Sequence, residues 1–436
     1  MKCSTRMLIV ALGGTMLLFA GRTASAQDWP QWRGPNRDAR ATGFEAPAKW
    51  PAELTRKWEV TVGDGVATPA LVGDRLYVFA RDGGEEVLRC LAVADGKELW
   101  KNGYAARAVT GAAGGFPGPR SSPTVAEGKV VTLGVEGALS CLDAASGKVL
   151  WRKTSTGNVP SFAPSSSPII VDGLCVAQLG GGDRAGGGRR GRGGRAGRGG
   201  AGEAGGGGAI AAFDLATGDE KWKWTGDGTA YASPIVTSID GNKVVIAETA
   251  RNIVALGAAD GKLLWQTPFV VEGRGYNASD PVVVGDTLVY SGSNRGTTAI
   301  KVEKEGDMLK AEELWSSADN SVQYNTPIVK DGYVYGLSAS DVVFCIKVAD
   351  GSTAWTAPLV GRGGRLRGYG SIVDAGSVLV ALNPSGTLVV FEPSGEEFKK
   401  LASYKVSNEE TFAYPVLSGN RIIIKDQNKV MLYTVE

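Results

Sequence analysis

A glycine followed four residues later by a tryptophan recurs along this chain, and that repeat constrains the fold more than any other feature. It stands as Gly96-Lys-Glu-Leu-Trp100, Gly147-Lys-Val-Leu-Trp151, Gly218-Asp-Glu-Lys-Trp222, Gly261-Lys-Leu-Leu-Trp265 and Gly351-Ser-Thr-Ala-Trp355. Trp58 and Trp315 close similar segments without the tight glycine spacing, and Phe398 replaces tryptophan in a degenerate copy after Gly395. Successive copies lie 40 to 51 residues apart, with one interval of 71. A period of about 40–50 residues that holds four short strands is the mark of a β-propeller blade. Each copy supplies the same parts. A strand opens beside a proline, as at Ser122-Pro123-Thr124-Val125. A second follows a glycine turn (Lys129–Leu133), a third carries Leu139-Ser-Cys-Leu-Asp143, and the Gly147 turn launches the tryptophan strand. Glycine there permits positive φ, and the indole buries a large flat surface between blades.

Counting closing strands gives an all-β, eight-bladed propeller; seven blades is the alternative, because the Trp315 copy is irregular. The C-terminal stretch Phe412–Tyr433 supplies three strands without a fourth, whereas Leu54–Val62 is a tryptophan strand with no predecessors. Pairing the two in one shared blade closes the ring and leaves no open edge. The expected organisation is a signal peptide over residues 1–26, an extended Pro/Trp-rich arm over 27–53, and a single propeller over 54–436 interrupted by a Gly/Arg-rich insertion at 180–208.

The segments Cys141-Leu-Asp-Ala-Ala-Ser-Gly-Lys-Val-Leu-Trp151 and Phe213-Asp-Leu-Ala-Thr-Gly-Asp-Glu-Lys-Trp222 resemble the repeat of pyrroloquinoline-quinone (PQQ)-type propellers. The resemblance covers nearly the whole chain after residue 26. It implies the propeller fold and, for function, either a quinoprotein dehydrogenase that uses PQQ and calcium or a scaffold of the BamB type. The dehydrogenases need a cofactor clamp, a calcium site of carboxylate and amide oxygens, and an Asp base; many also carry a disulfide between adjacent cysteines. No adjacent cysteine pair occurs here. The nearest oxygen-ligand candidates, Asn277 with Asp280 and Glu248, also read as ordinary turn or loop residues. No catalytic, cofactor or metal residue is therefore assigned.

The chain contains no histidine. That excludes Ser-His-Asp and Cys-His catalysis, histidine zinc sites and covalent c-type haem. Lys2 and Arg6 before the apolar run Met7–Ala20, with Ala24-Ser25-Ala26 behind it, predict a signal peptide cleaved near Ala26. The run is too short for a membrane span, so the mature chain is expected without one, exported to the periplasm or the exterior as a monomer. Cleavage removes Lys2, Arg6 and Arg22 and takes the formal charge from +2 to −1. A basic balance suited to nucleic acid disappears with it. The insertion Gly180–Gly208, six Arg among Gly and Ala, reads as a disordered surface loop. In Trp29-Pro-Gln-Trp32-Arg-Gly-Pro35 the tryptophans read either as a clasp on the propeller or as a stacking surface. Cys90, Cys141 and Cys345 occupy equivalent positions in different blades, which keeps them too far apart for a disulfide.

The mouth of the central funnel, where first strands begin, is the place to look for a ligand. Three residues before the strand proline, or its equivalent, stand Val66, Arg120, Ser165, Tyr231, Ala278, Tyr324, Gly368 and Phe412. With neighbours Asn277, Asn325, Arg367, Tyr369 and Tyr414, this set yields a candidate surface of Arg120, Tyr231, Asn277, Tyr324, Asn325, Arg367, Tyr369 and Tyr414. Aromatics beside Arg and Asn suit a protein or a small polar ligand; filling of a narrow funnel explains them equally. Trp58, Trp100, Trp151, Trp222, Trp265, Trp315 and Trp355 are assigned to interblade packing. The expected function is a non-catalytic binding propeller without a cofactor. The alternatives are the PQQ- and calcium-dependent dehydrogenase and an envelope sensor or structural module that uses outer loops.

Overall fold

The computed structural model describes residues 28–154, 159–181, 207–271, 275–360 and 368–436. The expected signal peptide, most of the Gly/Arg-rich insertion and the candidate Arg367 lie outside the described residues. Eight antiparallel four-stranded sheets make the eight blades of one propeller, and a short 3-10 turn at Gly111–Ala113 is the only helical element among the described residues. The inner strands run Ala70–Val72, Thr124–Ala126, Ile169–Val171, Ile235–Ile239, Val282–Val284, Ile328–Lys330, Ser371–Asp374 and Val416–Ser418, in blades 1 to 8. Second and third strands are sandwiched between neighbouring blades and read as continuous apolar runs, such as buried Val130–Leu133. Fourth strands face solvent on alternate residues, as Glu98–Ala105 does.

The ring closes as the sequence predicts. Thr55–Thr61 pairs antiparallel with Lys429–Thr434, from Thr55 opposite Thr434 to Thr61 opposite Lys429. This places the first propeller strand as the outer strand of blade 8, and the seven-blade alternative falls away. Buried Lys425 ties the same seam. Its ammonium donates to the carbonyls of Asp426 (2.7 Å), Gly65 and Gln427 (3.0 Å each).

Every blade carries a register break between its third and fourth strands at one point. It falls beside the pairs Cys90–Trp100, Cys141–Trp151, Ala212–Trp222, Ala255–Trp265, Ala299–Trp315 and Cys345–Trp355. The small residue opposite each tryptophan and the bulge beside it aim the indole out of its own sheet toward the next blade. There the repeat glycine receives it. A Cβ on Gly147, Gly218, Gly261 or Gly351 would lie less than 3.0 Å from the ring of Trp100, Trp151, Trp222 or Trp315. Most indoles also donate across the seam: Trp58 to Val93, Trp151 to Leu215, Trp222 to Ala258, Trp315 to Val348 and Trp355 to Ser394, all at 2.6–3.0 Å.

Two copies depart from the expected pattern. In blade 7 the residue in tryptophan register is Ala402, paired with Val390 beside the bulge. Phe398 precedes that strand and packs on Trp355 and Phe391 instead. In blade 5 the hairpin Thr297–Glu305/Met308–Ser317 is long. It offers no repeat glycine to Trp265, which stays half-buried. The cysteines among the described residues, Cys90, Cys141, Cys175 and Cys345, are buried free thiols.

Candidate functional site

The channel wall begins at the strand proline of the repeat and the hydroxyl or carboxyl residue before it. Thr68-Pro69, Ser122-Pro123, Ser167-Pro168, Ser233-Pro234, Asp280-Pro281 and Thr326-Pro327 open six inner strands. Proline forces the preceding residue into extended backbone, which turns that residue's N–H toward the neighbouring blade. The N–H of Thr68 donates to Ser122 Oγ, Ser122 to Ser167 Oγ and Ser167 to Ser233 Oγ, each at 2.9 Å. Ser233 continues to Asp280 Oδ1 (2.6 Å) and Asp280 to Thr326 Oγ1 (2.9 Å). Tyr414 N–H donates to Thr68 Oγ1 (2.9 Å). A hydrogen-bonded girdle thus runs from blade 8 to blade 6. It stops at blade 7, where Gly370 offers no side-chain acceptor.

The arm fills the channel inside this girdle. Asp28 accepts from the N–H of Gly73 in the first hairpin of blade 1, and Glu45 donates to Gly419 in the first hairpin of blade 8. Both ends of the arm therefore lie on the face opposite the mouth. Between them the chain climbs the channel and turns back through Arg33, Gly34, Arg37 and Ala39, all at positive φ. Three of these four are not glycine, so the turn is held against local preference. Side chains hold it. Arg33 donates to the carbonyls of Arg37 and Pro327 (2.9 Å each). Arg37 donates to Ser167 O (3.1 Å), Pro234 O (2.8 Å), Pro168 O and Gln31 Oε1 (3.0 Å). Both arginines and Trp29 are fully buried. Two guanidinium groups share one carboxylate, Asp280, which lies 4.0 Å from Arg33. Burial pushes Arg37 down to about 9, against the pull of Asp280. Burial likewise raises Asp280, which Arg33 opposes.

Above the arm sits a cup of about 360 Å³. Its floor is Trp32, whose Nε1 donates to Asp280 Oδ2 (2.6 Å). Its wall is a collar of half-buried aromatics from successive mouth loops. Tyr324 stacks on Tyr369 (4.5 Å between centroids), Tyr369 meets Phe412 edge-on (5.3 Å), and Phe412 meets Phe116 (4.7 Å). On the other side Phe162, Tyr231 and Tyr276 form an edge-to-face trio at 5.0–6.2 Å. Arg120 lines the wall with its guanidinium bound to the carbonyls of Phe116 (2.9 Å), Ala113 (3.1 Å) and Gly118 (3.2 Å). Burial lowers its pKa and pushes Tyr231 and Tyr369 up to about 12. Those phenols therefore remain hydrogen-bond donors at neutral pH.

Of the candidates, Arg120, Tyr231, Tyr324 and Tyr369 line the cup. Asn277, Asn325 and Tyr414 do not. The amide of Asn277 donates to Thr249 O (2.8 Å) and Phe269 O (3.0 Å), and that of Asn325 to Leu337 O (2.8 Å), so both brace loops from inside. Tyr414 is buried against Trp32 (4.8 Å) and Arg33 beneath the floor. The sequence reading placed Trp32 in the arm, as clasp or stacking surface, and missed Phe116, Phe162 and Tyr276. A tally of aromatics throughout the loop before each Ser/Thr/Asp-Pro would have found these three.

The oxygen-ligand candidates differ in how far the fold commits them. Asp280 is committed to Ser233, Trp32 and Arg33, and the Asn277 NH2 to carbonyls, whereas Asn277 Oδ1 is buried without a hydrogen-bond partner. Glu248 is wholly buried, its carboxylate oxygens have no hydrogen-bond partner, and burial raises its pKa well above the usual range. No group of three His, Cys, Asp or Glu among the described residues converges for a metal, and the arm occupies the space beneath the cup.

A family model described as outer membrane protein assembly factor BamB matches residues 31–196 and 84–357. Proteins of that name from Moranella endobia and Burkholderia pseudomallei are 24% and 23% identical. The alignments span 70% of this chain and 72% of the first, and 86% of this chain and 86% of the second. BamB from Moraxella catarrhalis superposes with a TM-score of 0.61 at 14% identity, over 88% of this chain and 98% of that one. Quinohemoprotein alcohol dehydrogenase from Comamonas testosteroni superposes with 0.67 at 15% identity, over 95% of this chain and 82% of that one. At these identities the superpositions show a shared fold.

Proposed function

Because the chain belongs to the PQQ-repeat propeller family described as outer membrane protein assembly factor BamB, we propose that it is an exported, non-catalytic scaffold that holds a protein partner at the funnel mouth. The observation that carries this reading is the aromatic cup closed from below by Trp32 and the arm. The arm lies beneath the cup, and half-buried rings in a concave rim suit an anchoring side chain of a partner. The relatives' printed name, an assembly factor, and the expected signal peptide support the same reading. The scaffold acts as a monomer and without PQQ. No helix among the described residues is long and apolar enough to cross a membrane.

The test is site-specific photo-cross-linking in the native host. A photoreactive residue replacing Tyr324 at the mouth should give a discrete adduct, and one replacing exposed Lys262 should not. Adducts from the second position alone would move the site to the outer loops. Dye-linked alcohol or sugar oxidation that depends on added PQQ and calcium would overturn the non-catalytic reading.

A further inference from the structure

The cup's own chemistry narrows what it holds, and the narrowing rests on the scaffold reading above. We propose that the mouth captures an extended, proline-containing peptide segment of the partner, in polyproline II conformation, with its rings wedged into the aromatic collar.

The charge pattern comes first. Of the two charged groups at the cup, Asp280 is paired with Arg33 and bonded by Trp32 and Ser233, whereas Arg120 is held by three neutral loop carbonyls and keeps its positive charge. A cationic ligand would meet Arg120 and find no free carboxylate, so the complementary ligand carries acceptor oxygens and no positive charge. The hydrogen-bonding pattern comes second. The hydroxyls of Tyr276, Tyr324 and Tyr369 have no acceptor among the described residues, and burial keeps Tyr369 protonated. The cup therefore presents donors and wants acceptors. A polyproline II segment offers unpaired carbonyls along its length and few N–H groups.

Ring geometry favours a peptide over a sugar. Tyr324 and Tyr369 cover each other's inner faces, at 25° between planes, and the other contacts in the collar are edge-to-face. The collar thus offers notches between rings rather than an open flat platform. Pyrrolidine rings fill such notches, as they do in aromatic-lined recognition grooves. The channel already reads one segment of this kind. The arm's own Trp29-Pro30 lies extended along the inner strands, bridged to Leu71, with Pro30 O accepting from Val125 N–H (2.8 Å).

The experiment is calorimetric titration of the full mature protein with an acetylated, amidated decaproline peptide, with a neutral disaccharide as the competing probe. The expected result is saturable one-to-one binding of the peptide. Tyr324→Ala should weaken it at least about tenfold. Tyr324→Phe, which keeps the ring and removes the donor, should weaken it by a few-fold at most. Unchanged melting of both variants guards against loss of fold. Absence of saturable peptide binding, equal affinity in Tyr324→Ala, or preference for the disaccharide overturns the proposal. If the mouth cross-link persists while decaproline fails, the ligand class alone falls. If both fail, the scaffold reading falls with it.

Discussion

Two glycines of blade 2 separate interblade packing from backbone preference. Gly128 and Gly147 sit at nearly the same positive φ, +71° and +72°. An added Cβ at Gly128 meets nothing within 4 Å, whereas at Gly147 it lies less than 3.0 Å from three ring atoms of Trp100. Alanine at either position incurs the left-handed penalty of about 1–2 kcal/mol. At Gly147 the methyl must also displace an indole wedged in the seam, and overpacking of this kind adds about 1–3 kcal/mol. Gly128→Ala should therefore cost about 1–2 kcal/mol and Gly147→Ala about 2–5 kcal/mol. Equilibrium urea denaturation followed by tryptophan fluorescence measures both, with the difference read from the midpoints at a common slope. If the two variants lose the same stability within error, the repeat glycine serves the turn alone. The account of why it precedes tryptophan by four residues would then be wrong.

Three further expectations test other parts of the molecule. Trp151→Ala removes a buried indole and its bond to Leu215 O, and should cost about 3–5 kcal/mol in the same assay; a shift within error contradicts the seam packing. Burial holds the pKa of Glu248 above that of the unfolded chain, so the folded state binds the proton more tightly and stability falls as pH rises beyond the ordinary carboxylate range. Glu248→Gln should therefore melt above the parent at pH 8, with the gap shrinking toward pH 4; a gap that widens on acidification refutes the sign. Burial pushes Cys90 up to about 11 and Cys141 and Cys345 up to about 12, so the native mature chain should be silent to a thiol reagent at pH 8. In non-reducing denaturant all four thiols should react, and a count of two would reveal a disulfide.

Blade number, ring closure and the equivalent placement of Cys90, Cys141 and Cys345 were legible because eight copies of one pattern can be laid over one another. The same register located the mouth. Of the eight positions three residues before the strand proline, every one but Gly368 lines the cup. What could not be read was the direction of single side chains. Asn277 and Asn325 each lie one residue past a collar tyrosine, and that step turns them into the loop interior. The arm was illegible for a different reason. It occurs once, so no repeat reveals what it packs against, and nothing in the sequence marks Arg33 and Arg37 as buried donors to strand-start carbonyls. Phe398 misled because blade 7 spaces its last strand differently, which shifts the closing register to Ala402.

The pairing of Thr55–Thr61 with Lys429–Thr434 also dictates an order of events. The segment made first finds its partner only when the segment made last is available. Seven blades can assemble from contacts within about fifty residues, yet the eighth joins elements more than three hundred and sixty residues apart. Until then the outer strand of blade 8 and the channel-filling arm before it have no complete seat. A chain with so distant a final contact should fold late and slowly. The same topology works in reverse once the ring is shut. Neither end can peel away without opening the whole circle, so durability should be set by how rarely that one blade comes apart.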